Sequence, residues 1–336
     1  MNKLRVFQTV KKKGIVPGFF PKNLGTILLL LVLIPYLLTF LSGNIHEEKS
    51  VDTIIEENFK EGRVFINNTT AYGNESIPLE TYVADKLSRS INADYEPEAL
   101  KAQAILIRSS LLYSLYESEK NNNKTGKIDV EDKDYGSIPI SEKIYMAVAE
   151  TAGIYLTCDK KPVNGAFFAV SNGATRNSEE LFSEEYPYLK SVLCPRDFLS
   201  GDYTSSVSYR KTEFDRLWEE IMPFNITEEE IQKKEKITKE MEASDITVYR
   251  DSVGYVLYLF RDGKFISGEQ FRDSFHLSSS SFHLSEEDGA VYITVKGVGH
   301  GFGMSQFGAN EMAKEGDDYI EILNYYFENV IITKFE

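Results

Sequence analysis

The sequence predicts an α+β fold, made of mixed helices and antiparallel strands and preceded by one N-terminal transmembrane helix. Helical and strand patterns follow one another without the regular alternation that is typical of parallel α/β folds. The composition, with 42% hydrophobic and 26% charged residues among 336, is that of a globular protein and excludes a disordered or fibrous chain. A single long apolar run lies near the N-terminus.

The N-terminal region has the pattern of a membrane anchor. Residues 1–46 contain six basic residues and no acidic residue, and residues 24–41 form an uncharged run of 18 residues. A run of that length can cross the hydrocarbon core. The basic residues that flank the run all precede it, so the positive-inside rule predicts a cytoplasmic tail over 1–23, a transmembrane helix over 24–41 and an extracytoplasmic remainder. A cleaved signal peptide is the alternative, because the small residues Ser42 and Gly43 follow the run.

The remainder of the chain is strongly acidic. It holds 31 basic and 52 acidic residues, a balance of −21. This balance excludes a surface-wide attraction to phosphates, so no nucleic acid partner is predicted. A charged linker is predicted over residues 44–62, and the extracytoplasmic domain is predicted over residues 63–333.

The chain contains two cysteines, Cys158 and Cys194. Two are too few for a disulfide-stapled scaffold or for a structural zinc site by themselves. A single disulfide and a reduced buried pair both stay open, and neither a metal nor a cofactor is predicted.

The first half of the domain is predicted to be mainly helical. A strand over 63–67 comes first. A helix over about 79–90 follows Pro78, and a longer helix begins at Pro97, since proline is favoured in the first turn of a helix. Apolar residues recur at helical spacing along the longer helix. Residues 117–137 are almost free of apolar side chains and predict a solvated loop.

The second half is richer in strand patterns. Residues 213–244 are the exception, since they are mostly charged and predict helix. The dipeptide Asp262-Gly263 predicts a tight hairpin turn. A helix is predicted between a Ser305 cap and a Gly316 stop. Strands are predicted over 153–158, 162–171, 247–250, 254–260, 264–267 and 290–296, and a last helix over about 319–327.

Glycine occupies every second position from Gly297 to Gly303. This spacing is neither that of a dinucleotide-binding fold nor that of a P-loop. Alternating glycines leave one face of the chain bare, so a flat ligand such as a sugar ring could approach beside His300. The alternative is a bare turn packed against a neighbouring strand.

With its flanks, this segment reads GVGHGFGMSQFGANEMAKEG and closely resembles the C-terminal signature of the stage II sporulation protein D family, which includes the amidase enhancers. Further stretches resemble family motifs in the same order, namely IPLETYV, YEPEALKAQAILIR, AFFAVSNG and SGEQFRDSFHLSSSSFHL. The resemblance spans about residues 63–333.

The resemblance implies a bacterial extracytoplasmic protein that acts on peptidoglycan glycan strands, in cell-wall remodelling during sporulation and engulfment. The sporulation members are similar to lytic transglycosylases, in which a glutamic acid protonates the glycosidic oxygen. By an ungapped count, Ser90 stands at the position of that glutamate. A serine hydroxyl is too weak an acid for this role. Asp94, in the same turn, is the nearest substitute.

Other positions resemble residues that line the family's groove, and the resemblance implies a fold of two lobes around that groove. The expected function is that of a membrane-anchored, catalytically impaired peptidoglycan-binding protein, with a cell-wall hydrolase as a candidate partner. The alternative is an active lytic transglycosylase with a displaced acid, so enzymatic activity stays open. The expected groove residues are Lys101, Gln103, Arg108, Ser171, Asn172, Gly173, His300, Gly301, Ser305 and Gln306.

Overall fold

The computed structural model describes residues 64–70, 73–120, 127–182, 186–234 and 236–334. The predicted cytoplasmic tail, transmembrane segment and linker lie outside the described residues. Within the described residues, no helix is both long and apolar enough to cross a membrane. Helices and mainly antiparallel sheets are mixed along this part of the chain, which confirms the predicted α+β class.

The domain begins with a small sheet and two helices. Strands β1 (Phe65–Thr70) and β2 (Gly73–Pro78) form an antiparallel hairpin that leads directly into helix α1 (Leu79–Ser90). Helix α2 (Pro97–Lys120) follows after a short turn. Both helices begin where the sequence predicts. Strand β3 (Lys127–Val130) then pairs in parallel with β1.

Strand β3 lies within residues 117–137, so the prediction of a loop over these residues is wrong in part. Only one of its four residues, Ile128, is buried, so the segment carries almost no hydrophobic pattern. Its strand structure comes from backbone hydrogen bonds to β1, which no local sequence signal reports.

Helix α2 is the central element, because it packs on two sides. Leu100, Ala104 and Ile107 belong to one apolar cluster, shared with α1 and β1, whereas Ile105 and Leu106 belong to a second cluster, shared with the C-terminal helices. A helix that is buried all round belongs to a core rather than to a surface. Lys101 and Arg108 lie on the remaining side of α2, and that side is therefore covered as well.

The rest of the chain adds sheets and short helices. Helix α3 (Glu142–Glu150), which the sequence reading missed, is capped by the Ser141 hydroxyl. The remaining strands are β4 (Ile154–Cys158), β5 (Lys161–Pro162), β6 (Phe167–Phe168), β7 (Thr204–Arg210), β8 (Thr238–Glu242), β9 (Ile246–Arg250), β10 (Val256–Arg261), β11 (Lys264–Ser267), β12 (Phe282–Glu287), β13 (Ala290–Lys296), β14 (Met304–Ser305) and β15 (Ile331–Lys334). The remaining helices are α4 (Lys211–Glu220), α5 (Glu228–Gln232), α6 (Gly268–Ser274), α7 (Gln306–Glu315) and α8 (Tyr319–Tyr326).

The strands form four further sheets. β8 to β11 make an antiparallel meander, and the turn between β10 and β11 has left-handed Asp262 and Gly263, as the hairpin prediction requires. β13 lies between β12 and β7, β4 lies between β15 and β5, and β6 pairs in parallel with β14. This last pair joins two of the motif-bearing segments directly.

Two predictions about the second half are wrong in part. Residues 238–242 form strand β8 within the region predicted as helix, because they pair with β9. The predicted strand over 162–171 is reduced to two short pairings, β5 and β6. In both cases tertiary pairing outweighs the local pattern.

The alternating glycines are also explained by packing rather than by a ligand. A side chain at Gly303 would meet the Ala166 carbonyl oxygen at 2.1 Å, and one at Gly299 would meet the Phe168 Cβ at 2.6 Å. Both glycines have positive φ. At these two glycines the bare face therefore lies against the chain around β6, as in the alternative of a turn packed against a neighbouring strand.

Candidate functional site

Ser90 meets residues of two of the quoted motifs at the end of α1. Ser90 is the last residue of α1, Gln103 is fully buried on α2, and Gln306 is the first residue of α7. We call these three residues the amide cluster. Its members are joined by hydrogen bonds, so the structure brings three of the predicted site residues together.

The amide cluster is internally satisfied. Gln103 Nε2 donates to Ser90 Oγ at 2.9 Å, and Gln306 Nε2 donates to the Ser90 carbonyl at 2.6 Å and to Gln103 Oε1 at 2.9 Å. Burial makes such bonds necessary, because an unpaired buried amide would cost free energy. None of the three side chains can act as a general acid at neutral pH.

The position that the resemblance assigns to the acid is thus occupied by a hydrogen-bonded hydroxyl. Asp94, the proposed substitute, has an exposed side chain in the turn after Ser90. Its backbone N–H bonds to Asn92 Oδ1 at 3.0 Å, and its carbonyl accepts a hydrogen bond from Lys143 Nζ at 3.1 Å. A general acid that works at neutral pH is normally held protonated by burial or by a nearby charge. The Asp94 side chain is not buried.

A buried carboxylate, Asp197, joins two further motifs. Its Oδ2 accepts hydrogen bonds from the Ser171 backbone N–H and from the Ser305 hydroxyl, both at 2.6 Å. Asp197 is completely buried, and its Oδ1 has no hydrogen-bond partner among the described residues. Burial raises the pKa of Asp197, and the bonds from the two serines oppose that rise.

The Asp197 contacts lead directly to the amide cluster. Ser305 caps α7 by accepting a hydrogen bond from the Gly308 N–H, and Gln306 is the next residue along the chain. A side chain at Gly308 would meet the Tyr326 hydroxyl at 2.3 Å and Asp197 Oδ1 at 2.8 Å, so glycine lets α7 approach this carboxylate. Asp197 therefore helps to fix where Gln306 meets Ser90.

Sequence reasoning missed Asp197. No strong signal marked it, because Asp197 is one acidic residue in a stretch, YLKSVLCPRDFL, that also contains Lys190 and Arg196. Without the three-dimensional contacts to Ser171 and Ser305, this carboxylate resembles any other surface aspartate.

The turn that carries Asn172 and Gly173 is held by several contacts. Asn172 Nδ2 donates to the Val253 carbonyl at 2.8 Å and to Ser281 Oγ at 2.9 Å. The Gly173 N–H donates to Ser171 Oγ at 3.1 Å, and Gly173 has a φ of 121°. These bonds tie the turn after β6 to the sheet that contains β10 and to the serine-rich segment before β12.

Arg108 lies away from the amide cluster. Its side chain is fully buried, and its Nε and Nη2 form a bidentate pair with the Glu80 carboxylate at 2.8 and 2.6 Å. Its Nη1 donates to the Ile154 carbonyl at 2.7 Å. These bonds tie α2 to α1 and to β4.

Lys101 is also engaged in ion pairs. Its Nζ lies 2.7 Å from a carboxylate oxygen of Glu98 and 2.7 Å from one of Glu150. Partial burial alone would lower the pKa of Lys101, but the two carboxylates outweigh it and raise that pKa. Lys101 therefore stays charged and joins α2 to the end of α3.

His300 and Gly301 belong to a second, separately packed group. His300 Nδ1 accepts a hydrogen bond from the Phe302 N–H at 3.1 Å, and its ring lies 5.7 Å from that of Phe168. Burial lowers the pKa of His300, so the imidazole is neutral at neutral pH. The Gly301 carbonyl accepts a hydrogen bond from the Arg176 N–H at 2.8 Å.

Arg176 is the centre of this second group, and the sequence reading also missed it. Its guanidinium lies between the Tyr255 and Phe302 rings, at 4.9 and 4.7 Å from their centroids, and donates to Asp251 Oδ2 at 2.7 Å. A cation enclosed between two rings and a carboxylate holds these segments together.

No group of three His, Cys, Asp or Glu residues within the described ranges could hold a metal ion. Cys158 and Cys194 are both buried and unbridged. Burial raises the pKa of both thiols, which keeps them protonated and poorly nucleophilic.

Comparison with known proteins gives a consistent set of relatives. A family model described as stage II sporulation protein matches residues 67–158. The chain is 30% identical to stage II sporulation protein D of Bacillus amyloliquefaciens over 309 residues, which cover 86% of this chain and 83% of that protein. It is 30% identical to the protein of the same name from Bacillus subtilis (strain 168) over 285 residues, 77% of this chain and 76% of that protein. An amidase enhancer of Bacillus subtilis is 26% identical over 286 residues, 72% of this chain and 39% of that protein.

Proposed function

The chain belongs to the stage II sporulation protein D family, and from that premise we propose that it is a membrane-anchored protein that binds peptidoglycan glycan strands without cleaving them. Family membership and the relative named amidase enhancer fit a role at the cell wall. On this proposal the acidic domain works outside the cytoplasm, and the N-terminal segment anchors it.

The observation that carries the proposal is the amide cluster. Gln103 and Gln306 hold the partly exposed Ser90 in place at the end of α1, and a hydroxyl fixed there suits a hydrogen bond to a sugar hydroxyl or acetamido group. The proposed site thus has polar groups, but the position of the general acid holds Ser90, which has no carboxyl group. Without a general acid, the protonation of the glycosidic oxygen loses a factor of about 10²–10⁴.

Two carboxylates along α1 support the proposal, because they are engaged in ion pairs. Glu80 is paired with Arg108, and Asp85 accepts hydrogen bonds from Arg89 at 2.8 and 2.5 Å. Asp94, the substitute that the sequence favours because it lies in the same turn, is exposed. An active enzyme with Asp94 as a displaced acid is therefore the second candidate function.

The test compares the full-length protein in mild detergent with two variants at the acid position. We expect the native protein to retain glycan strands stripped of stem peptides and to release no anhydro-muramyl ends. Ser90→Glu supplies the missing carboxyl and should release such ends. Ser90→Gln is the matched control, since it has nearly the same shape and cannot donate a carboxyl proton.

Two results would contradict the proposal. Release of anhydro-muramyl ends by the native protein, lost in Asp94→Asn, would establish the displaced-acid enzyme instead. If the native protein does not retain the strands at all, the proposal that it binds glycan is wrong.

A further inference from the structure

Three large apolar side chains are exposed in the segment around Asp197. Leu193 is 73% exposed, Phe198 63% and Leu199 62%. Single exposed apolar residues are ordinary, but three within seven residues are a concentration of the kind that marks interaction sites. We call these three residues the apolar ledge.

The ledge is held in place by its backbone. Consecutive turns are closed by hydrogen bonds from the Asp197 N–H to the Cys194 carbonyl at 3.1 Å and from the Leu199 N–H to the Arg196 carbonyl at 3.0 Å. The Tyr325 hydroxyl donates to the Leu193 carbonyl at 2.5 Å. A ligand that binds here would lose little affinity to ordering the chain, because the segment is already fixed.

The ledge lies close to the proposed glycan site. Phe198 follows Asp197, whose carboxylate bonds to Ser171 and Ser305, and Gln306 of the amide cluster follows Ser305. The turn after Ser90 is tied to α7, which Ser305 caps, because the Glu96 N–H donates to Asn310 Oδ1 at 2.8 Å.

We propose that the apolar ledge is a further sugar subsite, in which the Phe198 ring stacks on the face of a pyranose ring of the glycan strand. This proposal rests on the proposed function. One face of a pyranose ring presents C–H groups, which pack well against an aromatic ring. Such a contact needs no charge attraction, which suits a domain that carries an acidic balance.

The size of the ledge favours a sugar over a protein. The exposed area of its three side chains is on the order of 300–400 Å². A stable protein interface covers about 800 Å² on each partner. One or two sugar rings would cover the ledge, whereas a protein partner would need a surface about twice as large.

The experiment measures retention of peptide-free glycan strands by the full-length protein in mild detergent. We expect Phe198→Ala to weaken the apparent Kd about tenfold, the value for losing part of the burial of one phenylalanine. Phe198→Trp should retain binding. Tyr292→Ala is the control, because Tyr292 is an exposed aromatic residue, 42% exposed, on β13. It should bind like the native protein, and all variants should unfold at the same temperature.

Each other result overturns the subsite in a distinguishable way. If the native protein and Phe198→Ala bind equally, the ledge is not a sugar subsite, while the proposed function stands. If the native protein does not bind, the proposed function fails and the subsite fails with it. If Phe198→Ala leaves glycan binding intact and changes the oligomeric state by light scattering, the ledge is a protein interface.

Discussion

The chemistry of Arg108 alone does not decide whether this residue binds a ligand or stabilises the fold. An arginine on a helix that carries family motifs could bind an anionic ligand, or it could pair with a carboxylate. The structure gives it a fully buried side chain and three hydrogen bonds, to Glu80 and to the Ile154 carbonyl. Its contacts are thus of the kind that stabilise a fold.

Arg108→Ala is therefore expected to lower the free energy of unfolding by about 2–3 kcal/mol. This value lies below the 3–5 kcal/mol typical of a fully buried pair, because Glu80 is 31% exposed and water can partly solvate it. Lys101→Ala, on the same helix, is the control and should cost no more than about 1 kcal/mol. Urea unfolding measures both. An unchanged stability of Arg108→Ala, together with lost glycan retention, would instead make Arg108 a ligand contact.

Asp197 illustrates the opposite case at the same scale. Nothing in its sequence surroundings marks it as central, yet it holds Ser171 and Ser305 in one place. Its importance comes from burial, because a buried carboxylate must be paired and therefore positions the groups that pair with it.

At the scale of elements, α1 and the loop after β3 are joined by a cluster of charges. Arg89 Nη2 lies 2.5 Å from an oxygen of Asp85 and 2.6 Å from one of Asp132. The Tyr82 hydroxyl also donates to Asp132, at 2.7 Å. Partial burial alone would raise the pKa of Asp132, but the bonds from Arg89 and Tyr82 outweigh it and hold that pKa below its ordinary value.

This cluster predicts a stability that depends on pH. Because the folded pKa of Asp132 is lowered, its contribution is complete above the unfolded value of about 4 and is lost as the pH falls through the lower folded value. We expect the stability difference between the native protein and Asp132→Asn to be largest at neutral pH and to shrink below about pH 4. Urea unfolding at several pH values gives this difference. A difference that stays constant with pH would contradict the role of the ionised carboxylate.

Helix α7 shows how an element acquires its place. Its cap and stop are local, since Ser305 bonds to the Gly308 N–H and Gly316 adopts a left-handed conformation. Its position is not local, since Gly308 packs against Tyr326 and Asp197. The sequence predicts the helix, and the packing of its first turn decides where Gln306 points.

At the scale of the whole molecule, the sequence is divided between a basic N-terminal region and an acidic domain. We expect the full-length protein, carrying a C-terminal tag, to sediment with bacterial membranes and to resist release by high salt, because an apolar segment rather than charge would hold it. Protease added to spheroplasts should remove the tag. Deletion of residues 24–41 should release the protein from the membranes.

The signal-peptide alternative makes a different prediction. Cleavage after the small residues Ser42 and Gly43 would give a soluble tagged protein with a shortened N-terminus, which mass spectrometry of the mature chain would detect. That outcome would leave the domain outside the cytoplasm and remove its anchor.

Much of the architecture follows from local patterns. Three local signals act within a few residues, namely proline at the start of α2, the Asp-Gly turn between β10 and β11, and the serine cap of α7. All three of these predicted features are present. Strand β3 was missed because its hydrogen bonds go to β1, a distant segment, whereas β8 was missed because its mostly charged sequence resembles a helix although it pairs with the adjacent β9. Local patterns cannot report such pairing.

The sequence by itself determined the α+β class and the family motifs, and it predicts a serine at the acid position. Only the tertiary structure decided which motif residues meet. It joined Ser90, Gln103 and Gln306, placed Arg108 in a buried ion pair, filled the bare glycine face with protein and made Asp197 central. The physical reason is that burial forces polar groups to find partners, and those partners come from segments that only the folded chain brings together.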